Sequence, residues 1–162
     1  MSHAQIRRLV TVAVLGLLWI GIGQDLLFQN VLIDLFAGGN VSLDTLFRDA
    51  INPASRALWV VCAGGYLTWY LRTDKARPKS AKEAQQNGTT WWWSIALTNV
   101  FMGWLLMVGY LWNAGLPASG WLTVLVFVIL DVGLCFWVPT LVATPRTFRL
   151  VMPGAVKFFG DR

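Results

Sequence analysis

Charged side chains are scarce in this chain. Only 13% of its 162 residues are Asp, Glu, Lys or Arg, whereas soluble domains carry about 25%. The mean hydropathy is +0.57, and 56% of the residues are hydrophobic. A chain this apolar, with its charges gathered outside long uncharged runs, is typical of membrane proteins. We therefore expect an all-α integral-membrane protein in which residues 1–162 form a single domain.

Histidine and cysteine are nearly absent. His3 is the only histidine and precedes the first apolar run, so histidine-ligated haem or chlorophyll inside the membrane is disfavoured. Cys62 and Cys135 lie alone in separate apolar runs, which argues against a disulfide framework or a zinc site. No nucleophile–base pair is evident either, so an enzyme is the less favoured class. We predict no cofactor, although contact with a lipid or a quinone stays open.

Four apolar runs are long enough to predict transmembrane helices. We place the spans at about residues 6–28, 53–72, 91–112 and 120–144. Between the first two, residues 29–51 carry apolar side chains at helical spacing, which predicts a short amphipathic helix on the outer face. Residues 73–90 predict a basic cytoplasmic loop, and residues 145–162 predict a cytoplasmic tail that lies on the headgroups.

The basic residues predict the orientation of this bundle. If the N-terminus is inside, only Arg48 and Arg56 fall on the outer side, and the positive-inside rule is strongly obeyed. We therefore expect a four-transmembrane-helix bundle in a bacterial inner membrane, with the N- and C-termini cytoplasmic. Nucleic acid is not expected as a partner, because the basic residues form no compact face apart from the membrane. The inner set is Arg7, Arg8, Arg72, Lys75, Arg77, Lys79, Lys82, Arg146, Arg149, Lys157 and Arg162.

Asp131 is the most unusual residue of the chain. It lies near the middle of the fourth run, where a charge costs about 2.5–3.5 kcal/mol even on the most permissive insertion scale. Asn99 falls at nearly the same depth in the third run, with Thr98 beside it. We therefore expect Asn99 or Thr98 to donate a hydrogen bond to Asp131. The alternatives are a basic residue of another chain, or a carboxylate that handles protons or cations in a transport path.

A second polar contact is predicted at the outer interface. Asp25 lies near the end of the first span and Arg56 near the start of the second. These positions predict a salt bridge, which is usually structural and contributes little when it is solvated.

The spans are poor in polar chemistry and rich in rings, with ten tryptophans in the chain. Large rigid side chains suit helix–helix contact. We therefore predict a non-catalytic accessory or scaffolding subunit of a multi-subunit inner-membrane complex. Its partners would be the lipid bilayer and other integral-membrane subunits, or further copies of itself. The alternative is a small transporter or channel component that uses Asp131, and a third, weaker hypothesis is a subunit that lends an apolar groove to a lipid or a quinone.

Overall fold

The computed structural model of the chain describes residues 3–27, 47–76, 78, 80–112, 118–144, 148 and 151–153. These residues are mostly helical, and none of them forms a strand. Four helical segments, numbered first to fourth here, cover residues 3–27, 47–75, 81–111 and 118–143. Most of the predicted outer amphipathic helix (29–51) and of the predicted tail (145–162) lies outside the described residues.

Three of the four segments contain a five-residue π-helical turn, and the third is uninterrupted α-helix. In chain order the elements are α1 (His3–Leu18), π1 (Trp19–Gly23), α2 (Gln24–Leu27), π2 (Phe47–Ile51), α3 (Asn52–Lys75), α4 (Ala81–Leu111), α5 (Ala118–Val132), π3 (Gly133–Trp137) and α6 (Val138–Ala143).

Prolines account for two of these π turns. A proline in a helix lacks an N–H, and its ring collides with the carbonyl group four residues earlier. For Pro53 that carbonyl belongs to Asp49, inside π2, and for Pro139 it belongs to Cys135, inside π3. The wider turn gives the ring room without ending the helix. The second segment therefore runs through Asn52–Pro53 without a break.

The third and fourth segments are long and apolar enough to cross a membrane, over Lys82–Leu111 and Gly120–Val142. The first segment contains a shorter apolar helix, Ala13–Leu27. The second segment carries Arg56 and Arg72 and several ring side chains, which lower its hydropathy. Length and hydropathy together thus identify two candidate spans among the described residues.

The third segment begins well before its predicted start at Trp91. The sequence predicts a loop over residues 73–90, but residues 81–90 are helical. Ser80 begins the helix, because its Oγ accepts a hydrogen bond from the Glu83 backbone N–H at 3.1 Å. Serine followed three residues later by glutamate is the capping-box pattern, and the Ala, Lys and Gln residues near it are good helix formers. The predicted loop is therefore wrong in extent.

The second and fourth segments are the centre of the packing, because each of them contacts the other three. Leu58 of the second segment is fully buried against the third and fourth segments at Gly103. A Cβ on Gly103 would stand 2.9 Å from the Leu58 side chain and 3.0 Å from that of Val128. A glycine at this position lets three helices approach closely.

The outward faces of the segments are strongly apolar. The largest exposed fractions include Leu97 and Phe101 on the third segment, Leu122 on the fourth, and Val60 on the second, each at 60% or more. An apolar surface this extensive is covered by lipid or by another protein in a folded molecule. The fold is therefore a helical bundle with an apolar outer surface and a small number of buried polar groups.

Candidate functional site

The carboxylate of Asp131 is enclosed by three donors from two other segments. Asp131 lies near the end of α5 and is 1% exposed. Its Oδ1 accepts hydrogen bonds from Trp19 Nε1 at 2.7 Å and from Gln24 Nε2 at 2.6 Å. Its Oδ2 accepts one from Ser55 Oγ at 2.8 Å. Asp131 therefore joins the first, second and fourth segments at one point.

The turn π1 brings two of these donors together. Residues five apart lie about 140° apart around an α-helix, so Trp19 and Gln24 would face different directions there. In π1 the backbone N–H of Gln24 donates to the carbonyl oxygen of Trp19, so the two residues lie one above the other on the same face. Gly23 supports this arrangement, because the Trp19 ring occupies the space that a Cβ on Gly23 would need.

The other donor, Ser55, is fully buried although it follows Pro53 by only two residues. The sequence predicts that the second span begins near this proline, which would place Ser55 close to the membrane surface. The helix instead starts at Phe47, eight residues before Ser55, a distance of about 12 Å along its axis. Gln24 is likewise 0% exposed.

Among the described residues, the three donors at Asp131 are all uncharged, and their hydrogen bonds satisfy the carboxylate without a cation. Bonds to an ionised acceptor are shorter and stronger than bonds between neutral groups. One polar atom beside the carboxylate is left over, since Gln24 Oε1 is buried and has no hydrogen-bond partner among the described residues. A half-turn of that amide would direct Oε1 at Asp131, so the site has an acceptor for one proton on the carboxyl group.

Asn99 does not hold Asp131, so the predicted hydrogen bond between them is wrong. Asn99 is 2% exposed, but its side chain packs over Gly65, and its Nδ2 has no hydrogen-bond partner among the described residues. Thr98 is exposed and donates to the carbonyl oxygen of Ser94 at 2.8 Å. Equal depth does not imply a shared face, because the side chains of a helix point in all directions around its axis.

The other predicted pair lies on neighbouring segments. Asp25 is half-buried in α2, and Arg56 is exposed in α3, next to Ser55. The salt bridge between them stays a prediction.

A second polar cluster joins the fourth segment to the second and third. Trp92 Nε1 donates to Thr140 Oγ1 at 3.1 Å, and Trp69 Nε1 donates to Thr144 Oγ1 at 2.8 Å. Of the three consecutive tryptophans here, Trp92 is buried and Trp93 is exposed. The Arg72 guanidinium lies 4.4 Å from the Trp91 ring centroid.

Metal and thiol chemistry find little support in the described part of the chain. Within it, no three His, Cys, Asp or Glu side chains lie together in a way that could hold a metal ion. Cys62 and Cys135 are buried free thiols. The Asp131 cluster is therefore the most distinctive chemical feature of the described bundle.

No known protein family, curated protein or solved structure is detectably similar to this chain. Its function has to be inferred from the residues themselves, since four helices in a bundle serve many unrelated functions.

Proposed function

We propose that this protein is a non-catalytic accessory or scaffolding subunit of a multi-subunit inner-membrane complex. The observation that carries the proposal is the closed environment of Asp131. Both carboxylate oxygens accept hydrogen bonds from side chains of the same chain, and Asp131, Gln24 and Ser55 are each at most 1% exposed. A carboxylate used in this way aligns helices and leaves no open face for a substrate.

The proposal includes four transmembrane helices with both termini in the cytoplasm. The third and fourth segments have the length and hydropathy of spans. The second segment supports the same role through the exposed residues Val60, Leu67 and Leu71, and the first through Val10 and other exposed apolar residues on its outer face. The excess of Lys and Arg on the predicted inner side supports the orientation.

Contact with other membrane subunits is supported by small residues on the outer surface. Apart from the glycine's chain neighbours and its own helix backbone, no atom of the described residues lies within 4 Å of the position that a Cβ would take on Gly21, Gly64 or Gly109. Glycines on the outside of membrane helices let a neighbouring backbone approach closely. The chain thus offers lipid-facing surfaces that another helix can pack against.

The second candidate is a small transporter or channel component in which Asp131 carries a proton. The specific observation in its favour is the unpartnered Gln24 Oε1 beside the carboxylate. Ionisable residues inside the membrane are also common in proton relays.

Two substitutions at Asp131 separate these functions. Asp131→Asn keeps one oxygen for the first-segment donors, and its amide can donate to Ser55 Oγ, whereas Asp131→Leu removes every acceptor. For a scaffolding subunit we expect Asp131→Asn to retain the wild-type amount of protein and the partners that co-purify in mild detergent. Asp131→Leu should lose both.

The transport hypothesis predicts a different pattern. Purified wild-type protein would form a monodisperse oligomer without other subunits, and it would carry protons in liposomes loaded with a pH-sensitive dye. Asp131→Asn would assemble normally and abolish that flux. Proton flux by the isolated wild-type oligomer, together with loss of that flux in a normally assembled Asp131→Asn variant, would overturn the scaffolding proposal.

A further inference from the structure

We propose that a groove between the second and third segments is a membrane-embedded binding site for a quinone head group. The groove has a volume of about 320 Å³. It is separate from the hydrogen-bond cluster at Asp131, so the proposal goes beyond the scaffolding role and does not depend on it. The lining residues include Val61, Gly65, Thr68, Ser94, Thr98 and Asn99.

Asn99 supplies the main argument for a ligand. It lines the groove, it is 2% exposed, and its Nδ2 has no hydrogen-bond partner among the described residues. A buried amide without a partner is costly, and the hydrocarbon core holds no water to supply one. Nδ2 is closed to solvent where the side chain lies against Gly65, so the amide has to turn to present it to the groove. A molecule that dissolves in the membrane can then supply the missing acceptor, and a carbonyl oxygen on an apolar ring meets that need.

The rim of the groove adds the complementary chemistry. Thr68, Ser94 and Thr98 each donate their hydroxyl hydrogen to a backbone carbonyl oxygen of their own helix, at 2.8 to 2.9 Å. Their oxygens therefore remain as acceptors toward the groove. A donor at Asn99 and acceptors on the rim suit the carbonyl groups of a quinone and the hydroxyl groups of its reduced form.

Depth and size favour this ligand over the other membrane components. Asn99 lies eight residues beyond Trp91, about 12 Å along the helix from the predicted interface. The ester carbonyl groups of glycerolipids stay near the headgroups and do not reach this depth. The groove volume lies at the lower end of the range of about 300–1,000 Å³ for small-molecule sites, and a single side chain from a neighbouring helix would leave part of it empty.

The test uses the full-length protein in lipid nanodiscs and measures equilibrium binding. The probes are a benzoquinone with a ten-carbon alkyl tail, an alkylbenzene with the same tail and no carbonyl group, and a diacyl phosphatidylglycerol as competitor. The variants are Asn99→Leu, which removes the amide, and Thr98→Val, which removes one rim oxygen. Thr89→Val is the matched control, because Thr89 makes the same kind of bond to a backbone carbonyl oxygen as Thr98 but does not line the groove.

We expect the benzoquinone to bind wild type and Thr89→Val saturably and with equal affinity. Binding should weaken at least about tenfold in Asn99→Leu and by a smaller factor in Thr98→Val. The affinity of wild type for the alkylbenzene should be no higher than the affinity of Asn99→Leu for the benzoquinone. Should Asn99→Leu fail to fold, Thr98→Val against Thr89→Val still decides the question.

Three results would overturn the proposal. The first is equal quinone binding by wild type and both groove variants. The second is alkylbenzene binding as tight as quinone binding, which would indicate an apolar surface only. The third is the absence of quinone binding by wild type. If Thr98→Val then also loses its co-purifying subunits, the groove is a contact for a partner helix.

Discussion

The turn π1 makes a sharp prediction about chain length in the first segment. Deleting Ile22 leaves Trp19 and Gln24 four residues apart, about 40° from each other on an α-helix. The two donors can then reach Asp131 Oδ1 without a π turn. Inserting one alanine after Ile22 has the opposite effect, because six residues place the donors about 120° apart.

The structure sets the size of both effects. Ile22 is 57% exposed, so its deletion removes little from the core, and we expect a change in unfolding free energy within about 1 kcal/mol. The insertion turns α1 away from its contacts. It loses the Trp19 bond to Asp131 and the close packing of Gly16 against the Trp59 ring. A hydrogen bond between membrane helices is worth about 0.6 kcal/mol and at most about 1.7, so with the lost packing we expect a cost of about 1–3 kcal/mol.

The assay is reversible unfolding by sodium dodecyl sulfate in mixed micelles, followed by circular dichroism. The two variants differ by one residue in opposite directions at the same place, so each serves as the control for the other. Equal tolerance of both changes would refute the role of π1 in aligning the donors. A deletion that destabilises more than the insertion would refute it more strongly.

Three further predictions use the same unfolding assay. Trp19→Phe keeps an aromatic ring at this position but removes one donor to Asp131, and we expect a loss of about 1 kcal/mol, within the range for one membrane hydrogen bond; an unchanged midpoint would mean that the bond contributes nothing. Gly103→Ala should cost about 1–3 kcal/mol, because its Cβ has no room, whereas Gly109→Ala should be neutral or stabilise by up to about 1 kcal/mol; equal effects would contradict the packing described for Gly103. Thr140→Val should cost about 1 kcal/mol and change the near-ultraviolet dichroism of tryptophan, because one indole N–H loses its acceptor; an unchanged spectrum and midpoint would count against that bond.

Helices were the part of the fold that periodicity and hydropathy could predict. The long apolar runs at residues 91–112 and 120–144 correspond to the third and fourth segments, since a run of that length without charges has few other ways to satisfy its backbone. The start of the third segment was missed although its signal is present. Ser80 and Glu83 have capping-box spacing, and the Glu83 backbone N–H donates to Ser80 Oγ. The polar residues that follow have the composition of a loop, so the helix was not predicted there.

The polar cluster could be predicted only in part. The sequence singles out Asp131 as a buried carboxylate that needs donors, but it does not indicate which ones. Trp19 and Gln24 are five residues apart, a spacing that places them on different faces of an α-helix. No local sequence pattern predicts a π turn over Trp19–Gly23. The two prolines are a usable signal for π2 and π3, because a proline inside a continuous apolar helix has to be accommodated.

The energetics of Asp131 favour a role in alignment over a role in net stability. Burying the charge costs about 2.5–3.5 kcal/mol, while three hydrogen bonds at about 0.6 kcal/mol each, and at most about 1.7, return about 2–5 kcal/mol. The two ranges overlap, so the cluster changes the stability of the correct fold very little. An arrangement in which both the first and the second segments are rotated keeps the cost of the charge and loses all three bonds. Such an arrangement is therefore disfavoured by about 2–5 kcal/mol, because a buried polar group with several obligatory partners selects one packing among many similar apolar ones.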